Sequence, residues 1–144
     1  MKTNIETMLE YFIQIRKCYA NILNKRLKDI KLSPNEINIL ILLSNNPTIT
    51  TSSQLNVLLG VSKGLISRSI DSLMKKGWIR CENDVSDRRV LHIYLTSESS
   101  EVIKVLKSEI QKINHDVLAD ISEEEMKAME MTMSKIIQRF KENQ

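Results

Sequence analysis

Between Gly60 and Thr96, the spacing of apolar residues changes from that of a helix to that of two strands. The rest of the chain flanks this stretch. Its first part repeats apolar residues at helical spacing. These residues are Val61, Ile66, Ile70 and Leu73. Ser62 suits the N-cap of such a helix, and Gly77 suits the left-handed position that ends one. Two runs of strand-forming residues follow, on either side of a charged tip at residues 83–89. A helix followed by such a hairpin is the pattern of a winged helix.

The other face of this predicted helix is small, polar and partly cationic. It carries Ser62, Lys63, Gly64, Ser67, Arg68, Asp71 and Ser72. Such a surface suits close approach to a nucleic-acid groove. Gly64 costs roughly 1 kcal/mol relative to alanine inside a helix, so its presence indicates that something approaches the backbone there.

Long helical patterns flank this stretch on both sides. An apolar stripe at helical spacing covers residues 5–30, with basic residues outside it. Further stripes cover residues 102–117 and 126–140, and the last is rich in methionine. A methionine-rich stripe is more often an adaptable core or interface than a cofactor site. These apolar stripes indicate that the flanking helices need a partner chain.

Helix starts are marked by three capping boxes, in which a Ser or Thr is followed three residues later by Glu or Gln. They lie at Ser33–Glu36, Thr51–Gln54 and Ser122–Glu125. Thr96 is expected to cap the helix that follows the hairpin. Residues 48–50 are expected to form a short strand that pairs with the hairpin.

In order and spacing, these features resemble the DNA-binding core of the MarR family of bacterial transcriptional regulators. The resemblance is carried by Gly60-Val61-Ser62-Lys63, Leu73, Lys76-Gly77-Trp78-Ile79, Asp84, Asp87-Arg88-Arg89 and Leu95-Thr96. It implies a mainly α fold with a small β-wing. It places a winged helix-turn-helix at residues 33–96 and dimerisation helices at residues 1–32 and 97–144. Two positions depart from the family pattern, because Asn56 replaces a small apolar residue and Ser99 a glycine.

The resemblance implies a homodimer that binds double-stranded DNA, with the start of the second helix of the motif at base edges in the major groove. This indicates Ser62, Lys63, Gly64, Leu65, Ser67 and Arg68. Arg68 and Lys63 suit guanine or phosphate, and Leu65 suits a thymine methyl group. Leu65 is an equally good core residue, since it borders the apolar stripe. Lys75 and Lys76 are expected to be exposed, with at most a phosphate contact.

At the tip of the hairpin, Arg88 and Arg89 are candidates to enter the minor groove, where narrow A·T-rich stretches concentrate negative potential. Asp87 is expected to orient one of them through a bidentate pair. The alternative is a surface ion pair of little energetic consequence. Two such subunits would bind a palindrome, and the resemblance implies repression by promoter occlusion.

Composition and charge agree with this interpretation. The net charge is +3, and basic residues outnumber acidic ones up to residue 92, whereas acidic ones dominate from residue 93 onward. A basic middle fits one nucleic-acid face. No apolar run approaches the ~20 residues of a membrane span, and the charged start lacks a signal-peptide core. We therefore expect a cytoplasmic protein.

Residues for other chemistry are sparse. The sequence has no phosphate-binding glycine loop, no metal-ligand spacing and no Ser-His-Asp order, so we expect no enzyme, metal or cofactor. His92 and His115 have no obvious partners. The competing class is a winged helix that docks proteins without DNA contact. A salt-dependent affinity for duplex DNA would distinguish a DNA-binding regulator from this class.

Two kinds of signal are implied by the resemblance. Many relatives release DNA when a small aromatic ligand binds between the dimerisation and DNA-binding parts. A pocket of this kind would be lined by Phe12, Ile15, Tyr19, Ile39 and Trp78, which serve equally well as core residues. Other relatives sense oxidants through a cysteine in the first helix, where Cys18 lies. The alternative is a buried, inert thiol.

Overall fold

A computed structural model of the protein describes residues 4–144, which are mostly helical with a single antiparallel hairpin. In chain order the elements are α1 (Ile5–Arg26), α2 (Pro34–Asn45), α3 (Ser52–Leu59), α4 (Lys63–Lys75), β1 (Ile79–Asn83), β2 (Leu91–Leu95), α5 (Ser100–Leu118) and α6 (Glu123–Glu142). Two compact units make up the structure, the first ending at Ile110 and the second running Gln111–Gln144. The mainly α fold with a small β-wing is as predicted.

Helix α2 is central to the first unit. It packs against α1, α4 and β2, and its Ile37, Ile39, Leu40 and Leu43 are buried. Helix α4 adds Ile66, Ile70 and Leu73 to the same core. Burying each such side chain stabilises the fold by about 1.5–3 kcal/mol. The apolar face of α4 is therefore fixed to the core, and its opposite face is directed outward.

The three predicted capping boxes are all present. In each, the hydroxyl oxygen accepts from the backbone N–H three residues on, at 3.1–3.2 Å, and the Glu or Gln oxygen accepts from the N-cap backbone N–H. They begin α2, α3 and α6, so these boundaries follow directly from local sequence.

Helix α1 ends earlier than the predicted Ile30. It stops at Arg26, and a 3₁₀ turn covers Lys28–Ile30 before Lys31 adopts a left-handed backbone with φ 53°. Leu27, just beyond the helix, is still buried at 4% exposure. The apolar pattern overran the helix end because Leu27 is still buried, four residues after the buried Leu23.

Thr96 does not cap the next helix as predicted. Its hydroxyl donates to the backbone oxygen of Gly77 at 2.6 Å, and a 3₁₀ turn at Ser97–Ser99 precedes α5. Ser99, the residue in place of a family glycine, is fully buried and its hydroxyl donates to the backbone oxygen of Thr96 at 2.7 Å. Both hydroxyls therefore fix the exit from the hairpin.

The predicted strand at residues 48–50 is reduced to one bridge. Thr51 forms an isolated antiparallel bridge with His92, and the N–H of Ile93 donates to the backbone oxygen of Thr50. Asn56, the other departure from the family pattern, donates from Nδ2 to the backbone oxygen of Val61. This polar side chain therefore holds the turn between α3 and α4.

Candidate nucleic-acid interface

The start of α4 presents a polar surface to solvent. Ser62 caps the helix by accepting the Leu65 N–H at 3.2 Å, as predicted. Five of the six residues indicated for the major groove are exposed here: Ser62, Lys63, Gly64, Ser67 and Arg68. The sixth, Leu65, is half-buried.

Gly64 has no structural reason to be glycine within this chain. Its φ lies outside the left-handed region, and an added Cβ would meet nothing within 4 Å. Gly77, by contrast, has φ +77° and ends the helix in the predicted left-handed conformation. The open space at Gly64 agrees with the expectation that an outside partner approaches the backbone there.

A shallow groove of about 180 Å³ separates the starts of α3 and α4. It is lined by Ser52, Ser53, Asn56, Lys63, Ile66 and Ser67. The serines of α3 were not among the sequence-predicted site residues, because Ser52 and Ser53 lie inside a capping box and are explained by it. Among residues 4–144, neither Lys63 nor Arg68 forms an ion pair, so both charges are available to an anionic partner.

Lys76 and Ser72 differ from the sequence-based expectation of outward, exposed side chains. Lys76 Nζ lies 2.7 Å from Glu36 Oε2, and the Ser72 hydroxyl donates to the same oxygen at 3.1 Å. The Glu36 side chain is only 9% exposed. The reason is tertiary, since the start of α2 packs beside the end of α4.

Burial of the Glu36 carboxyl raises its pKa, but the surrounding hydrogen bonds outweigh this effect. The hydrogen bond from Lys76, the backbone hydrogen bond from Ser33 and the Lys76 charge together bring the pKa below its ordinary value. Glu36 is therefore ionised at neutral pH and anchors the end of α4 to α2.

The wing tip carries the predicted bidentate pair. Asp87 accepts from Arg89 Nε at 3.1 Å and from Nη2 at 3.3 Å, and also from the Arg89 backbone N–H at 3.0 Å. These bonds from Arg89 lower the pKa of the Asp87 carboxyl. Arg89 remains 91% exposed, and Arg88 is exposed without an ion pair in the described part of the chain. Both guanidinium groups are accessible.

Asp84 and His92 form a pair that the sequence did not indicate, since His92 had no obvious partner. His92 Nε2 lies 2.8 Å from Asp84 Oδ1, and its Nδ1 lies 3.4 Å from the Thr50 hydroxyl. Asp84 Oδ2 accepts from the Ser86 N–H at 3.0 Å. The Asp-x-Ser spacing signals this last turn, but the histidine contact depends on strand register and on α3.

The five residues proposed for an effector pocket differ in their burial. A groove of about 450 Å³ lies between α1, α2 and α3, and of the five predicted residues it contains Tyr19. The others in it are Arg16, Ala20, Leu23, Pro34, Asn38, Ile41, Leu42, Leu58 and Leu59. Ile39 is fully buried in the core and Ile15 is 62% exposed, while Phe12 and Trp78 are half-buried. Burial raises the pKa of the Tyr19 hydroxyl.

The two cysteines occupy different environments. Cys18 is exposed in the single chain, contrary to the alternative of a buried thiol. Cys81 is half-buried on β1, where burial and the charge of Asp71 raise the pKa of its thiol. Across residues 4–144, no group of three His, Cys, Asp or Glu side chains is placed to hold a metal ion.

Comparisons with known proteins agree with the geometry. The sequence model of the MarR family matches residues 30–90. A MarR protein from Peptoclostridium difficile has 21% identity and a TM-score of 0.83, covering 99% of this chain and 93% of that one. The transcriptional regulator SlyA has 23% identity and a TM-score of 0.81, covering 94% and 95%. Streptococcus pneumoniae FabT in complex with DNA has 23% identity and a TM-score of 0.72, covering 98% and 100%.

Proposed function

We propose that this chain regulates transcription by binding double-stranded DNA in a sequence-specific manner. The match of the MarR family model to residues 30–90 and the winged-helix fold shared with MarR-family regulators support this proposal. The observation that carries this proposal is the exposed, cationic start of α4, where Lys63 and Arg68 have no ion-pair partner in the described residues. The matching FabT structure is a complex with DNA, which supports the same role for this chain.

The start of α4 and the wing tip contact different grooves of the DNA. The start of α4 lies at base edges in the major groove, with Lys63 and Arg68 donating to guanine or phosphate. The wing arginines enter the minor groove beside it, where Asp87 holds the Arg89 guanidinium in a fixed orientation. The groove containing Ser52 and Ser53 adds hydroxyls that suit a backbone phosphate.

Two copies act together as a homodimer. Helix α6 has no buried residue in the single chain, and it exposes Met129, Met131, Ile137 and Phe140. Helix α1 exposes Leu9, Tyr11, Ile13 and Ile15. Helices with such apolar surfaces are stable when they pack against a partner. A two-fold dimer with its α4 helices about 34 Å apart binds a palindrome and represses by covering a promoter.

The signal that releases DNA is a small aromatic molecule in the groove between α1, α2 and α3. Apolar walls from Leu23 and Ile41, with Arg16 and Tyr19 as polar groups, suit an aromatic carboxylate. Benzoate is a simple probe: it should raise the melting temperature and weaken DNA binding, and no effect on either would count against this site. Oxidation of Cys18 is the other signal, which peroxide treatment of wild type and Cys18→Ser would test.

The function itself is tested by selecting bound sequences from a pool of random DNA duplexes. We expect enrichment of a palindromic site, with an affinity that falls steeply as salt rises. A winged helix that docks proteins without DNA contact would enrich no sequence, and that outcome would refute the proposal.

A further inference from the structure

A chain of hydrogen bonds ties the wing tip to the segment that precedes α3. Asp84 forms its outer end. Its Oδ2 accepts from the Ser86 N–H, the Ser86 hydroxyl and the Asp87 N–H at 3.0, 2.6 and 3.1 Å, so it fixes the backbone of the tip. Its other oxygen, Oδ1, lies 2.8 Å from His92 Nε2.

His92 forms the link between the tip and the helix-turn-helix. Hydrogen bonds from the Ser86 hydroxyl and from His92 hold the pKa of the Asp84 carboxyl well below its usual range, so this carboxylate is ionised and only accepts. Nε2 therefore donates to it. In the neutral ring Nδ1 is then an acceptor, 3.4 Å from the Thr50 hydroxyl. One imidazole joins the two segments with a matched partner at each nitrogen.

The main chain makes the same connection at the same place. Thr51 and His92 form a bridge, and Thr50 accepts the N–H of Ile93. The backbone N–H groups of Thr50 and Thr51 donate to Gln54 Oε1 at 2.8 and 3.0 Å. The segment that His92 contacts is thus fixed to the first turn of α3.

This link matters because the strands contribute the buried Ile79 and Ile93 to the core, whereas none of the tip residues 83–89 is buried. A two-stranded hairpin is marginally stable in isolation. Helix α4 is held by the core, so the spacing between α4 and the wing arginines depends on what fixes the tip. Contacts held in place before binding cost less ordering entropy when the duplex arrives.

We propose that His92, together with Asp84, is a positioning residue for DNA binding that holds Arg88 and Arg89 at the spacing from α4 required by one duplex. The inference rests on the proposed function, in which α4 and the wing contact the same DNA. Neither His92 nor Asp84 needs to touch DNA, because each acts through the tip.

The test uses His92→Phe in the full chain. Phenylalanine keeps an aromatic ring beside Tyr94, whose ring centroid lies 6.4 Å from that of His92, but it removes both nitrogens. We expect binding to the preferred duplex to weaken about tenfold. His92→Gln should recover most of that affinity, because its amide can donate to Asp84 and accept from Thr50.

The decisive measurement is the loss of DNA affinity that Arg89→Ala causes in the wild-type chain and in His92→Phe. If His92 positions the tip, this cost falls to less than about threefold in His92→Phe, since the two residues are coupled. Arg68→Ala on α4 is the matched control, and it should cost the same in both backgrounds. A merely structural role of His92 would alter both arginine effects or neither.

An unchanged cost of Arg89→Ala in His92→Phe would overturn the inference while leaving DNA binding intact. Asp84→Ala breaks the link from the tip, because it removes both carboxylate oxygens that hold the tip backbone and His92. It gives the same answer if His92→Phe fails to fold. A wild-type chain without sequence preference for DNA would overturn the proposed function, and this inference with it.

Discussion

At the scale of single residues, a substitution at Gly64 should change stability and DNA affinity in opposite directions. Its backbone does not require glycine, and the space around it is open. Gly64→Ala should therefore raise the free energy of unfolding, by about 0.5 kcal/mol, because alanine favours the helix. The same methyl group should weaken DNA binding about tenfold, since it faces the approaching groove. Thermal melting and duplex titration measure the two effects, and unchanged affinity would remove the assigned role of Gly64.

Arg89 gives the complementary prediction at the wing. Its side chain is 91% exposed and, within residues 4–144, pairs only with Asp87, so Arg89→Ala should leave the melting temperature nearly unchanged. Binding to the preferred duplex should weaken by about tenfold or more, because a minor-groove contact is lost. Arg139→Ala is a matched control, since Arg139 is also an exposed arginine in a carboxylate pair. Wild-type affinity of Arg89→Ala would contradict the proposed contact.

At the scale of helices and strands, the attachment of α4 to α2 depends on an ionised Glu36. Its folded pKa lies below the ordinary 4.5, so its stabilising contribution is present above that value and is lost as pH falls through the folded pKa. Glu36→Gln should lower the free energy of unfolding by about 2 kcal/mol at neutral pH. The difference from wild type should shrink as pH falls through the folded pKa, where the wild-type carboxyl also becomes neutral.

Urea denaturation at neutral and acidic pH measures this difference. Glu130→Gln serves as the control because Glu130 is exposed on α6. A Glu36→Gln defect of equal size at both pH values would show that the charge of Glu36 is not what stabilises the attachment.

Local signals predicted the starts of α2, α3, α4 and α6, because capping hydrogen bonds act within four residues. The same signals placed Gly77 in its left-handed position. Contacts between distant segments were not predictable in this way. Lys76 was expected in solvent but binds Glu36, and His92 was expected to lack a partner but binds Asp84. The first pair depends on how α2 packs against α4, and the second depends on the strand register of the hairpin.

The same limit applies to the groove between α1, α2 and α3. Of the five residues that the sequence indicated for an effector pocket, Tyr19 is in this groove and Ile39 is in the core, the alternative role considered for it. Which face of a helix borders a groove depends on neighbouring helices. The exposed start of α4 was predictable because the polar face of one amphipathic helix is visible in its own sequence.

At the scale of the whole molecule, the exposed apolar residues of α1 and α6 support the proposed homodimer. The chain has a mass of 16.7 kDa, and sedimentation at micromolar concentration should give a particle of twice that mass. Dilution should dissociate the particle and lower DNA affinity together, since one α4 helix contacts only a few base pairs. A stable monomer that binds DNA with full affinity would contradict the dimer.

The central claim is that the start of α4 and the wing bind duplex DNA in a sequence-specific manner. It is tested most directly by titrating the chain against the duplex selected from a random pool and against a scrambled duplex of the same composition, at several salt concentrations. We predict saturation at two chains per selected duplex, a steep fall in affinity with salt, and binding to the scrambled duplex weaker by about a thousandfold. Equal affinity for the two duplexes would contradict the account.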